Sequence, residues 1–396
     1  MKLILKNGNV ITPYRVMKNC DVLVEEGVIK DISPAQPTVK NADTIDCEGL
    51  YISPGFIDMH VHGGGGYDFM DGTEEALMGA CDAHLIHGTT SITPTTLTCT
   101  DEELFNFFSV YKNVKDKYTK GPNLLGIHLE GPYFSPNQAG AQDPKYLKTP
   151  IKEHYEKILE HSSIISRMSV AVELDGALEL GKELRNHNII AAIGHSDADY
   201  EEIIKAYELG YSHVTHLYSG MSTIHRKGGF RYLGLIETAY LLDSMSVEII
   251  ADGCHLPKEL LQFIVKLKAK DKISLITDSS RGASMPEGSK IILGSLDKGQ
   301  DCIIEDGVAK LPDRSAFAGS VATSDRCVRT MYKTVGLPIE EAVSMMTSNP
   351  AKVLGIENRK GTLAKGFDAD INIFDENINI KYVIVNGQIR FCSEEK

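Results

Sequence analysis

Histidines and carboxylates recur along the middle of this 396-residue chain, each at the end of a short apolar run. The first run ends in an HxH pair, and in an extended strand His60 and His62 point to the same side because side chains alternate. Imidazole and carboxylate groups are the ligands that borderline divalent metals prefer. Taken alone, the pair leaves two interpretations open: metal ligands, or two polar residues at a strand end.

Seven more groups follow the same pattern. Later apolar runs end in Glu130, Glu173, His195, His216, Asp252, His255 and Asp278. A single histidine or carboxylate in such a place is more often a cap or a satisfied hydrogen-bonding group. Nine of them predict a metal-binding or proton-transfer site, provided that the fold brings the ends of the runs together.

The rhythm of the central segment indicates which fold does so. Eight apolar runs alternate with helical patterns in residues 53–360: GFIDMHVH, TTSITPT, NLLGIHLE, ISRMSVAVE, NIIAAIGHS, SHVTHLYS, SVEIIADGCH and KISLITDS. Before one apolar stripe, Thr100 and Glu103 have the spacing of a capping box. Eight βα units in about 300 residues predict a (β/α)8 TIM-like barrel, whose functional side chains stand at the carboxyl ends of its strands. A doubly wound open sheet is disfavoured because no GxGxxG turn follows a strand.

The two ends of the chain have a different pattern. Residues 1–52 and 361–396 read as short alternating strands separated by glycine-containing turns. Isolated hairpins are only marginally stable in water. The two ends are therefore expected to form one small β-sandwich domain beside the barrel domain of residues 53–360.

Composition excludes several classes of function. The net charge of −13 disfavours nucleic-acid binding, which needs a basic face. No apolar run approaches the roughly 18 residues of a membrane span, and Lys6, Asn7 and Gly8 end the first run too early for a signal peptide. Eight scattered cysteines without a CxxC pair predict a reduced, cytoplasmic protein.

The motifs PGFIDMHVHG, GIHLEGPYFS, AIGHSDA, VTHLYSGM, IADGCHL and LITDSS resemble those of the amidohydrolase superfamily, in particular its N-acetylglucosamine-6-phosphate deacetylase family. The resemblance covers essentially the whole chain. HLEGP is its most specific element, since many relatives have a carboxylated lysine there. The resemblance implies that Glu130, His195 and His216 hold the main catalytic metal. Because both histidines of the HxH pair are present, it also implies a second ion at His60 and His62, with the glutamate bridging.

The resemblance further implies a reaction and its cofactor. We expect one or two divalent ions, zinc first, with iron, manganese and cobalt as alternatives. Such ions activate water and polarise an amide carbonyl. Asp278 is expected to take the proton of the water and pass it to the departing amine. The implied reaction releases acetate from N-acetylglucosamine 6-phosphate. A serine nucleophile is disfavoured because no GxSxG elbow occurs.

The sugar pocket is assigned by the same resemblance. Arg226, Lys227 and Arg231, in the loop after strand six, are expected to bind the phosphate, with a solvated basic loop as the alternative. The other expected substrate contacts are Ala141, Gln142, Ser219, Gly220, His255, Ala318, Gly319 and Ser320. Relatives are commonly homodimers in which a basic residue reaches across the interface, so a homodimer is expected.

Two departures from the family pattern leave the sugar open. HLYSGM stands where the family usually reads HLYNAM, so Ser219 replaces an asparagine, and TDSSRGASMPEG differs from the usual continuation after TD. N-acetylgalactosamine 6-phosphate and an unphosphorylated N-acetylated sugar are therefore alternatives. An N-acyl amino acid hydrolase is another. A cyclic-amide hydrolase is disfavoured because residue 130 is not lysine, and a non-catalytic scaffold because every expected ligand is present.

Overall fold

Eight parallel strands form a closed barrel in the computed structural model, which describes residues 2–34, 41–314 and 317–393. In chain order, and numbered one to eight below, they are Phe56–Val61, Thr89–Pro94, Asn123–Leu124 with Ile127–Glu130, Ile165–Val170, Ile190–Ile193, Tyr211–Val214, Ser246–Ile250 and Ile273–Ile276. Successive strands pair in parallel. The ring closes where the Asp278 N–H donates to the His60 carbonyl over 2.9 Å. This is the (β/α)8 barrel that the sequence predicts.

A helix follows each strand and covers the outside of the barrel. These helices are Glu74–Leu85, Asp101–Val114, Lys152–Leu159, Ala177–Asn186, Tyr200–Glu208, Leu235–Leu241, Lys258–Leu267 and Ser324–Arg329, the last continued by a π-helical turn at Thr330–Val335. Two more, Ile339–Ser344 and Ser348–Val353, follow. The predicted capping box is present: Glu103 N–H donates to Thr100 Oγ1 over 3.3 Å, and Thr100 N–H to the Glu103 carboxylate over 3.0 Å. Short 3-10 turns occupy Phe69–Asp71, Pro136–Gln138, Pro144–Tyr146, Ser162–Ile164 and Lys270–Lys272.

The two ends of the chain share one sheet. Its strands are Lys2–Ile11, Val16–Glu25, Val28–Ser33, Asp43–Asp46, Tyr51–Pro54, Ile371–Phe374, Ile380–Val385 and Gln388–Cys392. Tyr51–Pro54 pairs antiparallel with Ile371–Phe374, which joins the termini. Leu3, Ile52 and Ile384 belong to a buried cluster separate from the barrel core. A small β domain built from both ends is therefore present, while the exact limits of 1–52 and 361–396 stay a prediction.

One alternating stretch is not the strand that its pattern suggests. In GTLAKGFDADINIFD only Ile371–Phe374 is a strand. The preceding residues bond to the hairpin of Val16–Glu25 and Val28–Ser33 in the terminal sheet: Gly366 N–H donates to the Ile29 carbonyl, and Ala369 N–H to the Gly27 carbonyl, over 2.8 Å each. These bonds hold the segment as a loop instead of a ladder.

A three-stranded antiparallel sheet is inserted between barrel strand eight and its helix, and the sequence analysis did not predict it. Its strands are Lys290–Leu293, Gln300–Glu305 and Val308–Lys310. Arg281 ties this sheet to the barrel, since its guanidinium donates to the Gly294 carbonyl over 2.6 Å and pairs with Asp71 at 2.8 Å. The side chain of Arg281 is only 4% exposed. The insertion is thus fixed over one side of the barrel mouth.

Two small hairpins also leave the barrel mouth. Gly63–Gly64 pairs with Tyr67–Asp68 after strand one, and His225–Lys227 pairs with Phe230–Tyr232 after strand six. None of the helices in the described ranges combines the length and apolar character that spanning a lipid bilayer requires.

Candidate active site

The Glu130 carboxylate lies at the centre of the polar strand ends and is almost fully buried. Its Oε1 is 2.9 Å from His216 Nε2 and 3.2 Å from His195 Nε2. The histidines of the HxH pair approach from the other side, with His60 Nε2 3.4 Å from Oε1 and His62 Nε2 3.3 Å from Oε2. The structure therefore brings together all five residues that the sequence analysis assigned to the metal.

These five residues form two groups that share one carboxylate. His60, His62 and Glu130 place their ligand atoms within 4.8 Å of one another, and so do Glu130, His195 and His216. The Nε2 atom of His60 is buried and makes no hydrogen bond to any described residue. Imidazole nitrogens gathered around a carboxylate, one of them unsatisfied, fit a divalent cation in each group.

The pKa values of His62 and Glu130 are shifted because these ionisable groups lie close together in the protein interior. Burial lowers the pKa of His62, but its hydrogen bonds to Asp278 and Glu130 outweigh burial and raise it to about 10. Burial raises the pKa of Glu130, yet the neighbouring histidines, His60 first, hold it well below its usual range. A carboxylate that stays ionised although it is buried is suited to bind a cation.

Asp278, at the end of strand eight, faces the HxH pair. Its Oδ1 is 3.1 Å from His62 Nε2 and 3.3 Å from His60 Nε2. Burial raises the pKa of this carboxyl, but the two histidines lower it further than burial raises it. The group is therefore ionised and able to accept a proton.

Three of these strand-end residues have left-handed backbone conformations. His195, His216 and Asp278 have φ values of 47°, 27° and 48°. Non-glycine residues rarely adopt this conformation, and when they do they are often at functional sites. Each turns the chain sharply at the point where its strand ends, which brings the side chain over the barrel mouth.

A cleft with a volume of about 190 Å³ opens above the candidate metal ligands. The predicted site residues that line it are His62, Glu130, Ala141, Gln142, His195, His216, Ser219, Gly220, His255, Asp278 and Gly319. Its other walls are Leu97, Gly140, Ile250, Leu293 and Phe317, which sequence reasoning missed.

The sequence and the fold of this chain are similar to those of known amidohydrolases. A model of the amidohydrolase family matches residues 51–390. The chain belongs to the amidohydrolase family. The N-acetylglucosamine-6-phosphate deacetylase of Lysinibacillus sphaericus is 33% identical to it, over 98% of both proteins. The N-acetylgalactosamine-6-phosphate deacetylase of Escherichia coli is 28% identical, over 98% of this chain and 99% of that protein. The crystal structure of N-acetylglucosamine-6-phosphate deacetylase from Pasteurella multocida matches with a TM-score of 0.91 and 26% identity, over 98% of this chain and 99% of that one.

In this amidohydrolase, Gln142 bonds directly to the central carboxylate. Its Nε2 donates to Glu130 Oε2 over 2.7 Å, and its Oε1 accepts from the Thr98 N–H over 2.8 Å. The sequence analysis expected Gln142 to contact the substrate, which stays a prediction. In the structure its side chain fixes the orientation of Glu130.

His255 stands on the cleft wall with a carboxylate behind it. Its Nδ1 lies 2.7 Å from Asp252 Oδ2, and its ring packs edge-on against Phe317 with centroids 5.0 Å apart. Burial lowers the pKa of His255, but Asp252 raises it by more than burial lowers it. The ring can therefore carry a positive charge that faces the cleft.

Two residues of the segment Ala318–Gly319–Ser320 are buried behind the cleft wall and support the site. Ser320 is fully buried, and its N–H donates to the Asp278 carbonyl over 2.9 Å. Ala318 is buried among the apolar side chains of the inserted sheet. Within this segment only Gly319 is among the described residues that line the cleft. Glu173 likewise supports the loop after strand five, because it accepts from Ser196 Oγ and the Asp197 N–H over 2.6 Å each.

The three basic residues expected at the phosphate lie elsewhere in the single chain. Arg226, Lys227 and Arg231 belong to the exposed hairpin after strand six. They are absent from the described residues that line the cleft. Their role as a phosphate clamp stays a prediction.

Two charged residues inside the barrel were missed entirely. Arg167 on strand four and Glu248 on strand seven are fully buried and form an ion pair beneath the candidate metal ligands. The available signal was a charged residue in the middle of an otherwise apolar run, ISRMSV and SVEII.

Proposed function

We propose that this amidohydrolase removes the acetyl group of N-acetylglucosamine 6-phosphate, which yields glucosamine 6-phosphate and acetate in amino-sugar catabolism. The observation that carries the proposal is the sharing of Glu130 by two pairs of histidines, opposite Asp278 and at the floor of one cleft. Full-length similarity to deacetylases of N-acetylated amino-sugar phosphates supports it.

The proposed cofactor is one or two divalent ions. Glu130, His195 and His216 would hold the first, and His60 and His62 would hold the second with the same glutamate. When bound, such an ion makes water a nucleophile at neutral pH and polarises an amide carbonyl. Zinc is the first candidate, since nitrogen and carboxylate ligands suit it, and iron, manganese and cobalt are the alternatives.

The acid–base work falls to Asp278. Hydrolysis adds water across the amide C–N bond, so one proton must leave the attacking water and one must reach the departing nitrogen. The ionised Asp278 carboxylate faces the ligand cluster from the cleft wall and can perform both transfers. Its backbone is held by bonds to His60 and Ser320, which keep the carboxylate in place.

The phosphate would lie farther from the ligands, towards His255. A protonated His255 offers one charge-assisted contact to phosphate oxygens. We infer that the hairpin carrying Arg226 and Lys227 supplies the rest from the partner subunit of a homodimer. In support, this basic hairpin also presents apolar surface, with Phe230 74% and Ile224 53% exposed, and apolar side chains so exposed are common at protein interfaces.

A second amino sugar is a candidate for the substrate. Ser219 and Gly220 line the cleft where the family pattern expects asparagine and alanine, and a relative of full length is an N-acetylgalactosamine-6-phosphate deacetylase. A shorter side chain at residue 219 alters the hydrogen bonds open to the sugar hydroxyls. The galacto epimer is therefore the alternative substrate.

A substrate panel tests the proposal. N-acetylglucosamine 6-phosphate, its galacto epimer and unphosphorylated N-acetylglucosamine would be assayed for acetate release by zinc-loaded protein, with Asp278→Asn as the matched blank. We expect the gluco phosphate to give the highest kcat/KM. A higher value for the galacto phosphate would move the assignment to the epimer. No acetate release from any of the three would overturn it.

The cellular location is proposed on indirect grounds. All eight cysteines, which are in described parts of the chain, are free thiols. Free thiols are typical of the reducing cytoplasm, which supports the expected cytoplasmic location.

A further inference from the structure

The interior of the barrel, directly below the proposed metal ligands, contains a buried ion pair. Arg167 Nη1 donates to Glu248 Oε1, and both side chains are essentially inaccessible to solvent. Arg167 Nη2 donates to the Met59 carbonyl over 2.7 Å and lies 2.8 Å from His128 Nδ1. TIM-barrel interiors are usually filled by branched apolar side chains. A buried ion pair is poor at stabilising a fold, since apolar residues of the same volume often do as well or better.

The position of Glu248 relative to the ligands suggests another role. Its Oε2 lies 3.0 Å from His60 Nδ1, while the opposite nitrogen of that ring faces Glu130 at 3.4 Å. The same Oε2 accepts the backbone N–H of His216 over 3.2 Å. One carboxylate therefore contacts a ligand of each group, through a ring in one case and through the backbone in the other.

The consequence for the His60 ring is a defined tautomer. An imidazole whose Nδ1 carries a proton keeps the lone pair on Nε2 available for a cation, and a carboxylate acceptor fixes this arrangement and the ring plane. The Nδ1 atoms of His62 and His216 have no hydrogen-bond partner among the described residues, and His195 Nδ1 faces the Gln138 carbonyl at 2.8 Å. Of these four histidines, His60 is the one whose Nδ1 contacts a carboxylate of a described residue.

We propose that Glu248 is a positioning residue for the second ion, the one assigned to His60 and His62, and that Arg167 holds Glu248 for this task. The inference rests on the proposed metal site, but it concerns binding and not turnover. Glu248 accepts a hydrogen bond from the Nδ1–H of His60 and thereby directs Nε2 at the ion. Arg167 donates to the other oxygen of this carboxylate and bonds strand four to strand one through the Met59 carbonyl.

The test is a titration of metal-free protein with zinc against a competing chelator, which yields an affinity for each ion. In Glu248→Gln the volume is kept and the charge is lost. We expect the second ion to bind about 10- to 100-fold more weakly, with the first ion bound nearly as in the wild type. Glu173→Gln is the matched control, since Glu173 is a mostly buried carboxylate that contacts Ser196 and Asp197. It should leave the affinity for the second ion unchanged.

Three other results of the titration would contradict the proposal. Unchanged affinity for the second ion in Glu248→Gln would overturn it, and so would an equal loss of both ions with a lowered melting temperature, which indicates a structural role alone. A wild type that binds one ion removes the second site, and with it this inference, while acetate release can still establish the proposed function. If Glu248→Gln does not fold, ¹⁵N NMR of the zinc-loaded wild type decides. A proton on Nδ1 of His60 supports the proposal, and a metal-bound Nδ1 refutes it.

Discussion

Replacement of Asp278 by asparagine isolates proton transfer from binding. The substitution keeps the shape of the side chain and one acceptor oxygen, but an amide cannot accept the proton of an attacking water. The left-handed backbone of residue 278, with φ of 48°, suits asparagine better than most residues. The backbone bonds to His60 and Ser320 do not involve the side chain. We therefore expect the fold and the cleft to survive the change.

The expected loss follows from the size of general acid–base effects. Removal of such a group lowers turnover by about 10²- to 10⁴-fold, which corresponds to roughly 3–5 kcal/mol in the activation barrier. Initial rates of acetate release give kcat and KM, and elemental analysis gives the metal content. The metal measurement is necessary because Asp278 Oδ1 lies 3.1 Å from His62 Nε2. Turnover above about a tenth of the wild-type value, at equal metal content, would refute the role of Asp278 as the proton carrier.

Three other features give separate tests. Arg226→Ala or Lys227→Ala should lower kcat/KM for the phosphorylated sugar by about tenfold or more, since a charge-assisted contact contributes ~1.5–3 kcal/mol, and an equal loss with the unphosphorylated sugar would contradict a phosphate clamp. Because Asp252 raises the pKa of His255, the cationic form that binds phosphate persists below that raised pKa, so KM should increase as the pH rises through it. In Asp252→Asn this increase should begin at lower pH, and an unchanged profile would argue against His255. Arg281→Met breaks a buried ion pair and should lower the free energy of unfolding, measured by urea denaturation, by about 3–5 kcal/mol. An unchanged free energy would show that other contacts hold the inserted sheet.

The barrel and the clustering of its candidate metal ligands could be predicted because their physical signals are local. A parallel strand buried on both faces reads as an apolar run, and the residue that follows it must lie at the barrel mouth. His195 and His216 each come within two residues of a strand end, as the structure confirms. Side-chain alternation was enough to place His60 and His62 on one side.

The support beneath the ligands could not be predicted, since it depends on contacts between distant strands. Arg167 and Glu248 are 81 positions apart, and only the closed barrel brings them together. Gln142 was expected to contact the substrate because the family resemblance implied it, and the sequence does not show the bond of its side chain to Glu130. The inserted sheet carries a turn signal at Asp306 and Gly307, but it interrupts the βα rhythm, and the sequence analysis made no prediction for it.

The left-handed residues explain why strand ends alone do not define the site. A non-glycine residue in this conformation costs roughly 1–2 kcal/mol, so other bonds must hold it there. At Asp278 the Ser320 N–H donates to the carbonyl, and at His216 the Glu248 carboxylate accepts the backbone N–H. The carboxylate that orients His60 is thus also one of the groups that stabilise the strained turn at His216. Glu248 therefore couples the geometry of the two groups of candidate ligands. Substitution of Glu248 should disturb His60 more than His216, because its bond to His60 is to a ring that can rotate. Its bond to His216 is to a backbone N–H that the preceding strand already holds in place.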